Sequence, residues 1–575
     1  MLIYNKLINN RHCVVVAASL RLRVHKLDLS SLHKQNYPMM SRSPCSLAAK
    51  AFLIALAFFV CQARPPSIAL AFLPPAVTVV GVRRPGIVSP IFQSTNTVAV
   101  SSGPGADTKK GSPEVLDVAI VGGGPTGLAC ALALLRATKS SSSSAEKRRP
   151  PSIAVFEADD FEPKGASIIV SSPGWKALRA IDEETFKEAK ADGACISSIY
   201  FEDFSGTSLL PSVLKYTMRF LIRPTLRYLL RSGIVRSNNW HAFRQSLRRG
   251  VERTRLELDT NDDNDLDVIR TNTSLVSVDP TYNNNSSVLL TFTDGSRVAA
   301  STVLACDGTF STIRKCLEYD NNDGHPTAGR SKVLVNEQKS VWRGTAPHIE
   351  TKGRNTFFVA QDEAKGSGGT AVLFPAGRTT PGSSLSIILP STNVNGRAKG
   401  SDDARRRLKA ALKALEVPIA DSLMEAIDDV DVMLEHQLHV RDFDLFPNLC
   451  SGHDRIAYVG DSAHPLRPTG EGVAMALEDA WTIGNLAATA GSSSTAILSP
   501  ALLRKYEELR QDRVAAVCKA VQDLANSYYD GDEASDDDDE EGGTKEPKEK
   551  KKPLQTTKKR VDQAMKDHPI YLTKL

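Results

Sequence analysis

The sequence predicts an α/β protein, and three observations carry that prediction. Val115 to Val121 (VLDVAIV) is a short, β-branched run that leads straight into Gly122-Gly123-Gly124-Pro125-Thr126-Gly127 and then into LACALALLRA, a strong helix former. Ile153 to Phe156 is a second such run, closed by the acid Glu157. Residues 301 to 314 (STVLACDGTFSTIR) hold a third, ending in Asp307-Gly308 with Ser311 and Arg314 behind it. Short apolar strands alternating with helical stretches are the pattern of a buried parallel sheet.

The first glycine loop lies in the strand-turn-helix setting that gives G-x-G-x-x-G its meaning. Gly122 permits a tight turn, Gly124 lets backbone N–H groups approach a pyrophosphate, and Gly127 allows close packing of helix on strand. The helix entered through Pro125 and Thr126 directs partial positive charge at the phosphates. A carboxylate at the end of the second strand, Glu157, accepts both hydroxyls of an adenosine ribose. Glu157 follows Gly127 by about ten residues more than the usual spacing of about 20. The looped-out segment SSSSAEKRRPP accounts for the excess. A Rossmann-like adenine-dinucleotide site is therefore expected at Gly122, Gly124, Pro125, Thr126, Gly127 and Glu157.

Two later stretches are ambiguous singly. Asp307-Gly308 reads equally as a strand followed by a tight turn, since D-G is a common turn dipeptide. Residues 460 to 480 (GDSAHPLRPTGEGVAMALEDA) gather Gly460, Asp461, Pro468, Gly470, Glu471 and Gly472 ahead of a helical run. Alone, that is a bent helix start.

Together GGGPTG at 122, CDGTFSTIR at 306 and GDSAHPLRPTGEG at 460 resemble, in order and spacing, the class A FAD-dependent monooxygenases, the aromatic-hydroxylase and epoxidase type of flavoprotein. The resemblance covers about residues 114 to 520. It implies a Rossmann-like FAD-binding domain with an inserted mixed β-sheet substrate domain and C-terminal helices. It also implies that Asp307 and Gly308 lie near the dinucleotide, that Asp461 holds the ribityl chain beside Gly460, and that Pro468 through Gly472 border the flavin ring. NAD(P)H is then the transient reductant and O2 the co-substrate, with oxygen transferred from a flavin C4a-hydroperoxide to an electron-rich small molecule. No general base identifies itself, because the hard chemistry is the cofactor's.

Within GIVRSNNWHAFRQSLRRG (233 to 250), which looks like a helix start, the resemblance assigns a flavin-contacting arginine to Arg236, with Arg244 as the alternative. A surface-charge role is open for both. Three positions depart from the family pattern: Ala474 stands where asparagine is frequent, Ser462 where alanine is usual, and Glu471 where glutamine often lies. Trp342-Arg343-Gly344 and Phe374-Pro375 read as strands of the substrate half.

The expected organisation is a targeting presequence and linker over 1–113, FAD-binding parts over 114–200, 236–330 and 446–529, and a substrate domain over 331–445. An amphipathic basic segment spans 201–235 and a charged, disordered tail 530–575. Up to residue 106 only Asp28 is acidic, and the apolar run Ala51 to Cys61 is far short of the roughly 20 residues that span a bilayer. With Arg42 and Lys50 before it and Ala69-Leu70-Ala71 after it, the run reads as a signal peptide, with translation starting at Met39 or Met40. The following Phe72 and acid-poor stretch resemble the bipartite plastid presequence of algae with secondary plastids; secretion and, through Thr573-Lys574-Leu575, the peroxisome are the alternatives.

Lys215, Arg219, Arg223, Arg227 and Arg231 recur every four residues among leucines, a stripe that suits either a peripheral membrane contact or a solvated helix face. A net charge of +5 over 575 residues gives no nucleic-acid footprint. The cysteines beyond residue 113 form no CxxC, and His436 and His439 project from opposite faces of a strand, so no metal site is expected. Halogenase chemistry lacks its W-x-W-x-I-P segment. A plastid flavin reductase of isoprenoid double bonds, or a non-catalytic binding protein on the same fold, are the competing readings.

Overall fold

The computed structural model describes residues 112–141, 151–163, 165–208, 235–258, 268–319, 334–362, 367–391, 398–441, 448–489 and 497–529. The presequence, most of the basic segment and the charged tail lie outside them.

Leu116, Val118, Ala119, Ile120 and Val121 are buried, so β1 (Glu114–Val121) is covered on both faces, as its apolar run requires. It is central to a seven-stranded sheet in the order β7 (Ile269–Arg270), β2 (Ile153–Phe156), β1, β10 (Arg297–Ala305), β9 (Val288–Phe292), β8 (Leu275–Asp279). The lower half of β10 pairs antiparallel with β9, and its upper half pairs parallel with β16 (Ile456–Tyr458). That switch is what places three loops together. Val121 is level with Ala305 across one ladder and Ala305 with Tyr458 across the other, so β1, β10 and β16 end side by side at one edge.

Helix α1 (Pro125–Ser141) supplies Leu128, Leu132 and Leu134 to the core, all fully buried. Truncating one such leucine to alanine costs about 2–5 kcal/mol. Against it pack α2 (Ser172–Ile181), α4 (Trp240–Leu258) and, nearer the C-terminus, α8 (Gly472–Thr489), while α3 (Glu183–Asp192) packs on α2 and α4. Small residues set the spacing: a Cβ on Gly484 of α8 would lie 2.7 Å from that of Ala133, and one on Gly250 of α4 would lie 2.2 Å from Thr185 Oγ1.

The second sheet has six strands, β15 (Leu434–Arg441), β11 (Leu334–Ala346), β14 (Ser383–Pro390), β13 (Ser367–Pro375), β12 (Arg354–Asp362) and β5 (Ser198–Asp203). All neighbours are antiparallel except β12 and β5. β5 spans residue 200, so the chain enters this sheet before the basic segment and returns to it at β11. Helices α6 (Ser401–Ala414) and α7 (Asp421–Asp429) cover one face with Leu408, Leu412, Leu423 and Ile427 against Leu385, Ile387 and Leu389. A three-stranded sheet, β3 (Ser167–Val170), β6 (Arg236–Asn239) and β4 (Ala194–Cys195), lies beside them. The result is an α/β fold with an inserted mixed-sheet unit and C-terminal helices, α8 and the long α9 (Pro500–Tyr529). The helix expected to start around Arg236 begins instead at Trp240: residues 236–239 pair as a strand against β3 and β4.

Candidate functional site

The first loop is as tight as its glycines require. Gly122 has φ +103°, its N–H donates to Phe156 O at 2.8 Å, and a Cβ there would lie 2.4 Å from Cys306 O. A Cβ on Gly127 would lie 1.9 Å from Gly122 O, so helix and turn touch backbone to backbone. Nothing stands within 4 Å of where a Cβ on Gly124 would be. That open cradle, at the N-terminus of a helix begun by Pro125, fits a pyrophosphate.

Glu157 closes the loop from the next strand. Its Oε2 accepts from Gly123 N at 2.7 Å and from Arg244 Nη2 at 2.8 Å, and its Oε1 accepts from Asp159 N at 3.1 Å. Arg244, on α4, also donates through Nε to Gly123 O at 2.8 Å, and its guanidinium lies 3.8 Å from the centre of the Phe161 ring. A planar fork that meets a carbonyl, two carboxylates and a ring holds loop and acid in one geometry.

Arg236 is elsewhere. Its Nη1 donates to Lys190 O at 3.2 Å, near the C-terminus of α3, and to Gly193 O at 2.9 Å, just beyond it. Of the two arginines weighed from sequence, Arg244 is the one brought to the dinucleotide loop.

The second motif works partly as a cap. Asp307 Oδ2 accepts from Thr312 N at 2.7 Å and Ile313 N at 3.2 Å, starting α5 (Thr312–Tyr319), and burial raises its carboxyl above the usual range. Gly308, with φ +77°, opens to free space beside it. Arg314 reaches the third motif, donating Nε to Ser462 O at 2.5 Å while lying 3.5 Å over the Tyr458 ring.

The third motif meets the first directly. Gly460 has φ +65°, and a Cβ there would lie 2.5 Å from Thr126 Oγ1. Asp461 projects into an open crevice, with its Oδ1 3.6 Å from where a Cβ on Gly472 would be. Solvent reaches the side chain, yet the protein mass around it raises its carboxyl above the usual range, against the pull of His464 and Arg343. Gly470 has φ +91° and lies against Ile169 of β3, and Pro468 is half-buried in the same loop.

The three departures have local reasons. The Ser462 hydroxyl donates to Ala305 O and accepts from Val459 N at 3.0 Å, so it is satisfied although buried. Glu471 accepts from Ser171 Oγ at 3.0 Å. Ala474 faces Gly174 of α2, where a Cβ on the glycine would come within 2.8 Å of Ala474 Cα, and a larger residue would push the helices apart.

Beneath this loop is a fully buried ion network that sequence reasoning missed. Asp479 accepts from Gly460 N at 3.0 Å, pairs with His464 Nε2 at 2.7 Å and accepts from Arg510 Nε at 2.6 Å. Arg510 also meets Glu478 at 2.7 Å, and Arg513 meets Glu478 at 3.0 Å. Burial opposes ionisation of Asp479, but Arg510 and His464 outweigh it and hold the carboxyl below its ordinary value. The signal was present in the chain: two adjacent acids inside the apolar run GVAMALEDAWTIG demand basic partners.

The second sheet reaches the site through two residues of β11. Glu337 Oε1 accepts from Arg467 Nε at 2.6 Å, with both side chains under 10 % exposed, which ties the sheet to the Pro468 loop. Arg343 lies within electrostatic range of Asp461: burial lowers its pKa and the Asp461 charge opposes that shift. In the sequence Arg343 reads only as part of a strand. Among the described residues no group of three or more His, Cys, Asp or Glu could hold a metal.

A family model described as an FAD binding domain matches residues 267–521. The chain is 23% identical over 439 residues to the FAD-dependent monooxygenase azaH of Aspergillus niger, covering 73% of this chain and 92% of that protein. It is 24% identical over 462 residues to the chloroplastic zeaxanthin epoxidase of Nicotiana plumbaginifolia, covering 75% of this chain but 58% of the longer relative. Among solved structures, Klebsiella pneumoniae HpxO complexed with FAD and uric acid has the same fold, with a TM-score of 0.53 at 19% identity over 72% of this chain and 89% of that one.

Proposed function

We propose that the chain is an FAD-dependent monooxygenase that uses NAD(P)H and O2 to hydroxylate or epoxidise an electron-rich organic molecule. The observation that carries the proposal is the convergence of three loops at the level ends of β1, β10 and β16, with Asp461 exposed among them. A crevice outside the carboxyl ends of parallel strands is where such sheets bind ligands.

FAD, when bound, supplies the electron transfer from the reductant and the activation of oxygen. The residues of this chain do the rest. The backbone around Gly124 and the N-terminus of α1 would hold the pyrophosphate, Glu157 the ribose hydroxyls and Asp461 a ribityl hydroxyl, with Pro468, Gly470, Glu471 and Gly472 along the ring. Arg244 keeps Glu157 in place rather than meeting the ring. The Glu337–Arg467 pair closes the seam between the units and helps to keep water out. Arg343 offers a cation to an acidic or carbonyl group of the organic substrate, which favours a polar aromatic or quinone-like molecule over a pure hydrocarbon. The name of the Nicotiana relative supports keeping epoxidation beside hydroxylation.

The test is to purify the full chain, extract its flavin, and follow NAD(P)H oxidation against candidate aromatics with heavy-isotope oxygen. Label appearing in the product supports the proposal. Turnover that proceeds equally well without oxygen would replace it with a flavin reductase.

A further inference from the structure

A second concave feature is assigned by none of the motifs. A groove of about 390 Å³ lies where α2, α3, β6 and the turn between β13 and β14 meet, and five cations converge on it: Arg179, Lys187, Lys190, Arg236 and Arg378. The one carboxylate in its lining is Glu183, which leaves a surplus of four positive charges.

Local structure explains part of this. Glu183 pairs with Arg179 at 2.6 Å and lies 3.6 Å from Lys187, and Arg236 caps the carbonyl end of α3. A helix C-terminus presents only about half a negative charge, so it cannot balance what remains. Among the described residues neither Lys190 nor Arg378 forms an ion pair. Cations drawn from four separate elements into one concavity repel one another, and an anionic ligand relieves that cost.

Of the reactants in the proposed reaction, oxygen is neutral and the reducing dinucleotide is a polyanion. Its pyrophosphate carries about two negative charges, and a 2′-phosphate adds about 1.5 to 2 more. The surplus in the groove matches the phosphorylated dinucleotide better than the plain one. Position agrees. The β13–β14 turn is tied to β3 through Ser167, whose Oγ donates to Ala376 O and whose N–H donates to Ser384 Oγ at 3.0 Å. On the same strand Ile169 lies against Gly470 of the flavin loop. The groove is thus one strand away from the loop that borders the ring.

We infer that this groove receives the phosphates of the reductant and makes NADPH, rather than NADH, the preferred electron donor. The inference rests on the reading that a nicotinamide nucleotide reduces the bound flavin. In the FAD-loaded full chain, Lys190→Gln combined with Arg378→Gln is expected to raise the KM for NADPH by about tenfold, raise that for NADH by a smaller factor and leave kcat unchanged. Added salt should raise the KM for NADPH more than that for NADH in the unmodified protein, because screening weakens charge contacts. Calorimetry with adenosine 2′,5′-bisphosphate should show binding that the double variant weakens to the same degree, with inorganic phosphate bound far less tightly. Lys187→Glu provides a second variant should the first fold poorly. Unchanged KM and bisphosphate affinity in both variants would overturn the groove alone, as would inorganic phosphate binding as tightly as the bisphosphate. Reduction of the flavin by neither nucleotide would overturn the functional reading and this inference with it.

Discussion

The two large sheets of this protein treat charge in opposite ways. The seven-stranded sheet ends in loops whose charged groups are matched and locked: Glu157 by Gly123 and Arg244, and Asp479 by Gly460, His464 and Arg510. The six-stranded sheet buries an apolar face under two helices and sends Glu337 and Arg343 toward the other unit. A region that must hold one large cofactor in a single pose is built for rigidity. The second sheet commits few charged groups to that edge, one of them the buried pair of Glu337 with Arg467.

That contrast can be broken from the locked side first, where the largest effects lie. Arg510→Ala leaves Glu478 and Asp479 buried without their main partner and should cost about 3–5 kcal/mol in thermal or denaturant unfolding, with flavin lost together with the fold. An Arg510→Ala protein within 1 kcal/mol of the original would mean that the network is not holding the loop. Gly460→Ala forces a side chain into left-handed backbone at φ +65° against Thr126. It should cost about 1–3 kcal/mol and weaken FAD binding, read by flavin fluorescence on titration.

A sharper test separates folding from function. Asp461 is exposed in the crevice, so its carboxylate adds little to the stability of the apoprotein. Asp461→Asn should therefore melt as the original does in the apoprotein yet bind FAD about tenfold more weakly. An equal fall in both would make Asp461 merely structural. On the open side, Arg343→Gln should leave FAD affinity unchanged and raise the KM for the organic substrate by about tenfold, seen in steady-state kinetics.

The smallest effect expected is one of pH. Asp479 is held below its ordinary value, so the stability it contributes is present above the unfolded pKa of about 3.9 and lost as pH falls through the folded one. Flavin release should begin below about pH 4 and shift upward when Arg510 is replaced by lysine.

Much of the cofactor side was legible in the chain. Gly122, Gly124 and Gly127 sit where only backbone fits or where an open cradle is needed, and both follow from a strand, a turn and a helix adjacent in sequence. Arg236 against Arg244 could not be settled that way. The two differ by eight residues, and which one reached Glu157 depended on where a strand ended and a helix began. The same holds for Lys190 and Arg378, brought to one groove from separate elements. The roles of Glu471 and Ala474 became clear only through Ser171 and Gly174, some 300 residues earlier.

Local rules thus set the elements, their order and the residues that must be glycine, because turn geometry, strand burial and helix propensity act over a few neighbouring residues. Which charges meet, which side chains cap a helix instead of facing a ligand, and how Arg343 comes to oppose Asp461 were decided by the pairing of β10 with both β1 and β16 and by the packing of a second sheet against that edge. Electrostatic partnership depends on distance in space, and in this chain it was the folded sheets that brought those partners into range.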